Sequence, residues 1–138
     1  REAAVLWTEA CRLARVDGVF SVASGVDLVS DPRSWLKRLI WATENTSFTR
    51  TGWAVGCLQA ALSAVVHHRG VLAPLEACAS GGGDTDTVGA VAGGYLGALV
   101  TPDEVDVPSE WFDEVHGWPG LTVRDLVEIE NTLREKNQ

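Results

Sequence analysis

The chain reads as all-α, and three observations carry that reading. Apolar residues recur at the three- and four-residue spacing of a helix face through most of the length. Helix start and stop signals punctuate those stretches at short intervals. No segment alternates convincingly over more than four residues, so no strand is expected.

The elements follow in order. Ala3, Ala4, Trp7, Ala10, Cys11 and Ala14 form the first stripe, with Glu2, Glu9, Arg12 and Arg15 off it; Asp17-Gly18 ends that helix. Residues 18–31 are rich in Gly, Ser and Val without a helical stripe, which predicts a long loop or an irregular turn. Asp31-Pro32 is a start signal, Asp as N-cap and Pro at the first helical position, and Trp35, Leu36, Leu39 and Ile40 supply the buried stripe. A polar break from Glu44 to Thr51 leads into a strong helix from about Trp53 to His68. Its Val55, Leu58, Leu62 and Val65 face a core, and Gly70 stops it. Leu72 to Ser80 is a further short helix, with Pro74 tolerated in its first turn. The apolar run Val88–Val100 has 13 residues, short of the roughly 20 that a membrane span needs, and predicts a core helix. Its Gly89, Gly93 and Gly97 stand four apart, a bare stripe that predicts close approach of a neighbouring helix. Each glycine costs a helix about 1 kcal/mol relative to alanine, so such packing is expected to compensate. Pro108 opens a helix through Val115, and Thr122 caps a last one, Val123 to about Lys136.

With 138 residues the chain is the size of one ordinary domain, and a single all-α segment over 1–138 is expected. The net charge of −8 disfavours nucleic acid and anionic membrane as partners, both of which want clustered Lys and Arg. The charge is uneven: residues 1–75 carry 8 basic and 6 acidic side chains, residues 76–138 carry 3 and 13. Three widely spaced cysteines, Cys11, Cys57 and Cys78, suggest neither a disulfide framework nor a zinc site, and a reducing cytoplasmic compartment is expected. There is no methionine and the first residue is Arg1, so a processed product or a piece of a longer chain is expected.

The sharpest local feature is Gly81-Gly82-Gly83-Asp84-Thr85-Asp86-Thr87. Three glycines permit a tight or left-handed turn, and the residues after them lie at a helix start. Asp and Thr are favoured caps, and negative charge suits a first helical turn, so on local sequence capping comes first. The second reading is a cation site. Asp84, Asp86 and the Thr87 hydroxyl are hard oxygen donors of the kind that suits Mg²⁺, Ca²⁺ or Mn²⁺, but three groups do not complete an octahedron.

Gly82-Gly83-Asp84-Thr85-Asp86-Thr87, with Ala92-Gly93-Gly94 and Gly97-Ala98 after it, resembles the C-terminal signature of the ADP-ribosylglycohydrolase family. Thr51-Gly52-Trp53-Ala54-Val55 with Leu58 and Ala60-Ala61-Leu62 resembles another helix of that family. Val107-Pro108 with Trp111 resembles its closing turn, and His116 to Leu121 with Arg124-Asp125-Leu126 resembles the ending of actinobacterial-type members. The resemblance covers about the whole chain, and the Asp-Thr-Asp-Thr turn is its most specific part.

The resemblance implies an all-α, ADP-ribosylglycohydrolase-like helical bundle, of which this chain is similar to the C-terminal half. It implies a pair of Mg²⁺ ions, with Mn²⁺ as a substitute, held between two clusters. Asp84, Asp86 and Thr87 would be ligands from one cluster. The other, a Thr/Ser-Asp-Asp run, and a glycine-rich phosphate loop belong near the family's N-terminus and are not found in this sequence. A partner is therefore expected: an N-terminal half, cleaved or made as a separate chain, or self-association. The implied activity is Mg²⁺-dependent hydrolysis of the glycosidic bond of an ADP-ribosylated protein or ADP-ribose derivative, with the isolated chain inactive. By family position Gly52 and Trp53 would line the ADP-ribose pocket; for Trp53 a core position at a helix start weighs equally. No residue is assigned as general acid or base. His67 and His68 at a helix end are expected at the surface, His116 on loop backbone, and Trp7, Trp35, Trp41, Trp111 and Trp118 in the core. The alternative function is a non-catalytic helical interaction or metal-binding module derived from the family.

Overall fold

The computed structural model describes residues 1–48 and 52–136. Thr51, the first residue of the Thr51–Val55 motif, lies outside them, as does the end of the polar break before it. The helices are α1 (Glu2–Asp17), α2 (Pro32–Glu44), α3 (Ala54–His67), α4 (Leu72–Ser80), α5 (Thr85–Leu99), α6 (Trp111–Glu114) and α7 (Val123–Glu135). Short 3₁₀ turns occupy Ala23–Leu28 and Pro102–Glu104. Against the expectation of no strand, the described residues include a short antiparallel pair, β1 (His116–Gly117) on β2 (Leu121–Thr122), with His116 opposite Thr122 and Gly117 opposite Leu121. The all-α reading nonetheless holds. The chain divides into two compact units, Arg1–Asp106 and Val107–Gln138.

In the first unit α3 is the axis. It is apolar on most of its circumference, with Gly56, Cys57, Leu58 and every residue from Ala60 to Val65 buried, because α1, α2, α4 and α5 all pack against it. Its buried Ser63 is satisfied by donating to the Asn45 carbonyl at 2.7 Å. On α5, Val88, Ala92, Tyr95 and Leu96 are buried against α1, α3 and α4. The Tyr95 ring lies 5.1 Å from Trp7 and 5.3 Å from Phe20, and the Trp7 indole N–H donates to the Val91 carbonyl at 3.0 Å. Burial pushes the Tyr95 phenol up to about 12.

Helix ends are set by specific groups. Gly18, at φ 63°, ends α1, donating to the Ala14 carbonyl. Asp31 caps α2 by accepting from Ser34 N–H at 3.1 Å, as its sequence predicts. Glu2 ties α1 to the same corner, accepting from Ser30 N–H at 2.7 Å and the Trp35 indole at 3.0 Å. Bonds from Ser30 and Trp35 draw its carboxyl down to about 2. The start of α4 is capped from 34 and 35 residues away: Asp106 Oδ1 accepts from Val71 and Leu72 N–H at 2.7 and 2.8 Å.

Several expectations are corrected. The buried stripe of α1 is Ala3, Leu6, Ala10 and Ala14, with Leu6 fully enclosed, while Ala4 is exposed and Trp7 and Cys11 are half-buried. The stripe is turned toward α3 and α5, which a single helix cannot reveal. On α2, Ala42 is buried and Ile40 is 54% exposed, for the same reason. Of the two alternatives for residues 18–31, the turn is found: residues 23–28 form a short 3₁₀ turn packed on α1. Among the described residues the Gly89-Gly93-Gly97 stripe does not mediate close packing: a Cβ at Gly89 or Gly97 would meet none of them within 4 Å, and at Gly93 only Leu75 at 3.6 Å. The helix expected from Pro108 shortens to one turn, Trp111–Glu114.

The second unit has no buried residue among those described. Its hairpin turns through a cis Trp118–Pro119 bond and Gly120 at φ 120°. Trp118 is 92% exposed, and Trp111 and Trp41 are also exposed, so of the five tryptophans expected in the core Trp35 is buried and Trp7 half-buried. Helix α7 starts with a box in which Asp125 accepts from the Thr122 N–H and hydroxyl at 2.6 and 2.7 Å. His67 and His68 are at the surface with each Nδ1 at 2.9 Å from the carbonyl four residues back, and His116 Nδ1 meets the Glu114 carbonyl at 2.8 Å.

Candidate functional site

Gly82 and Gly83 take φ 70° and 74°, values that L side chains rarely adopt, and turn the chain sharply out of α4 into α5. This turn leaves Asp84 at the N-cap position of α5, where its carbonyl accepts from Val88 N–H at 3.2 Å. Its side chain, however, makes no capping bond. Asp84 Oδ1 instead accepts from the Thr87 hydroxyl at 2.8 Å. A hydrogen bond with the Asp84 side chain, followed by the backbone N–H groups of Thr87 and of Asp86 itself, holds the Asp86 carboxyl below the ordinary aspartate range. Two carboxylates and a hydroxyl thus meet within one turn, with Asp86 and Thr87 exposed.

The start of α3 comes up against this turn. A Cβ on Gly52 would stand 3.0 Å from Asp84 Oδ2, so the bare glycine is what lets the carboxylate sit there. Cys57, one turn into α3, has its thiol pushed up by burial and then by the Asp84 charge. A largely apolar cavity of about 350 Å³ opens here, lined by Trp7, Gly52, Ala54, Cys57, Thr87 and Val91. Trp53 turns the other way, 63% exposed, onto a cleft of about 530 Å³ shared with Trp35 and Arg38.

Of the residues singled out in the sequence, the fold brings Asp84, Asp86, Thr87 and Gly52 together and sets Trp53 on the adjoining cleft. Trp7 and Cys57 were missed as lining residues. Both sit in apolar helical patterns that read as core, and no sequence signal marks which core positions border a cavity. The donor set is chemically suited to a hard divalent cation but small: among the described residues no group of three or more His, Cys, Asp or Glu side chains is placed to hold a metal. Nor is any helix among those residues long and apolar enough to cross a membrane.

The ADP-ribosylglycohydrolase family model matches residues 1–138, the whole chain, and the chain belongs to that family. No curated protein and no solved structure matches it.

Proposed function

We propose that this member of the ADP-ribosylglycohydrolase family acts in Mg²⁺-dependent hydrolysis of the glycosidic bond of an ADP-ribosylated protein or an ADP-ribose derivative. In this reading Asp84, Asp86 and Thr87 supply one half of a dinuclear metal site, and donors from an N-terminal half supply the other. The observation that carries it is the carboxylate of Asp84, which stands where a helix cap belongs yet turns to Thr87, Asp86 and the gap left by Gly52.

Each residue has a separate task. Asp86, with its lowered pKa, is ionised at neutral pH and holds charge rather than delivering a proton. Thr87 orients Asp84 through its hydroxyl and keeps its lone pairs for a further partner. Gly52 gives the carboxylate room, and Trp53 offers an indole face to ribose or base. The bound dications would supply positive charge to orient the ribose hydroxyls and polarise the bond at the anomeric carbon. Nearby carboxylates then favour an oxocarbenium-like transition state, with water adding at that carbon as the acceptor leaves.

The test uses hydrolysis of ADP-ribosyl-arginine and ADP-ribosyl-serine with and without chelator. The 138-residue chain alone should show no turnover and weak Mg²⁺ binding at best; Mg²⁺-dependent turnover by that chain would remove the half-site reading. In the complete enzyme Asp86→Ala should abolish metal-dependent hydrolysis with the fold retained. An unchanged rate takes Asp86 off the ligand set, and activity that survives chelation rejects the metal.

A further inference from the structure

We propose that Arg38 is an anion-recognition residue, taking a phosphate of a nucleotide-type ligand in the cleft between α2 and the start of α3. The proposal rests on the ADP-ribose reading for the identity of that ligand, but its geometry is separate from the acidic turn.

The cleft holds about 530 Å³ and is lined by Glu2, Asp31, Ser34, Trp35, Arg38 and Trp53 among others. Its two carboxylates are already engaged by the protein's own donors. Glu2 accepts from Ser30 N–H and the Trp35 indole, and Asp31 accepts from Ser34 N–H. Arg38 is different. Its backbone carbonyl accepts from Gln59 Nε2 at 3.0 Å, and its guanidinium lies over the Trp35 ring, 5.4 Å from the centroid. Among the described residues no carboxylate lies in ion-pair distance of it; the two ion pairs found there are Arg12–Glu9 and Arg124–Asp113.

A guanidinium over an indole is held there by cation–π attraction, and among the described residues no carboxylate takes up its N–H fork. That fork matches the oxygens of a phosphate in a two-bond geometry, and the charge is permanent. Trp53, also on the cleft, adds a flat apolar surface on which a sugar or base can lie. A charged fork and an exposed ring in one cleft suit a ligand that joins an anion to a planar ring. Gly52 and Trp53 are neighbours in the chain, with Gly52 against Asp84 and Trp53 on the cleft. A ligand whose ribose reaches the acidic turn can therefore extend its phosphates toward Arg38.

The experiment is calorimetric titration of the 138-residue chain with ADP-ribose, AMP and adenosine, without divalent cation and at two salt concentrations. The wild type should bind the two phosphate-bearing ligands more tightly than adenosine, with that preference shrinking at high salt. Arg38→Gln should weaken ADP-ribose and AMP by about 10- to 100-fold while adenosine changes little. Arg38→Lys, which keeps the charge and loses the fork, should recover part of the preference. A preference kept by Arg38→Gln, or a wild type that binds AMP no better than adenosine, overturns the assignment. If AMP binding depends on Arg38 but the complete enzyme cleaves no ADP-ribosyl bond, the proposed activity falls and the anion site stands. If hydrolysis is intact and Arg38→Gln changes nothing, only the anion site falls.

Discussion

Asp106 faces the start of α4 and Asp84 stands at the start of α5, and each lies against a glycine whose Cβ would crowd its carboxylate, Gly70 for the one and Gly52 for the other. At Asp106 one oxygen accepts two backbone N–H groups at the head of the helix, so the carboxylate is consumed in closing the chain. At Asp84 the helix receives no such bond, and the side chain turns to a hydroxyl and a second carboxyl. Residue type and helix position are nearly shared, so neither decides the role. What differs is whether the backbone donors reach the carboxylate. The first-turn N–H groups of Asp86 and Thr87 fall to the Asp86 carboxyl instead, so the Asp84 carboxylate is not consumed in closing its helix.

The largest expected difference between the two is in activity. Asp84→Ala or Asp86→Ala should lower hydrolysis by the complete enzyme at least about 100-fold, while circular dichroism and thermal midpoint stay near wild type. Asp106→Ala should do the reverse, lowering the midpoint with kcat retained in the surviving folded fraction. Matching losses of midpoint for all three would erase the distinction.

Next come the glycines. Gly70 has φ 75°, so Gly70→Ala carries about 1–2 kcal/mol of left-handed backbone strain in addition to displacing Asp106. A fall of several degrees in Tm is expected, and a neutral result would mean that the Asp106 cap is dispensable. Gly52→Ala should leave Tm almost unchanged, because at 3.0 Å the Asp84 tip can shift, but that shift should reduce activity about 10-fold. Stability loss without activity loss at Gly52 would assign Asp84 to structure after all.

The smallest effect is acid sensitivity. Bonds from Leu72 and Val71 N–H lower the Asp106 carboxyl from its ordinary 3.8, and Glu2 falls from 4.5 to about 2. Both are lower in the folded chain than in the unfolded one, so their stabilisation is fully present above pH of about 4.5 and is lost as pH falls toward 2. Thermal midpoints measured down that range should drop, and Asp106→Asn or Glu2→Gln should flatten the drop. A wild-type midpoint independent of pH over that window would show that these bonds contribute nothing net.

Much of this was readable from residues in order. The Asp31-Pro32 start, the Gly18 stop, the Thr122–Asp125 cap and the Leu58, Leu62 and Val65 stripe of α3 depend on groups within a few positions of one another, and each is found where local chemistry puts it; Val55, expected on that stripe, is half-buried. The Asp84–Thr87 cluster is equally local, so its residues could be named from the motif. Trp7 and Cys57 could not be named as cavity-lining, nor Asp106 as the cap of α4, because their partners lie tens of residues away. The glycine stripe on α5 failed for a related reason: spacing places three bare positions on one face, but only the packing of α1, α3 and α4 decides whether a helix lies there.

The order of residues thus determined most of the helices, several of their ends and the chemical character of one turn, since hydrogen bonds and side-chain periodicity within a helix are short-range. It also carried the family, through that same turn. Tertiary structure decided the rest: which face of α1 and α2 is covered, that Gly52 abuts Asp84, and that Arg38 rests on Trp35 beside Trp53. Burial and unmatched charge are properties of neighbours in space, and a carboxylate becomes a cap or a site according to which donors the fold brings within reach.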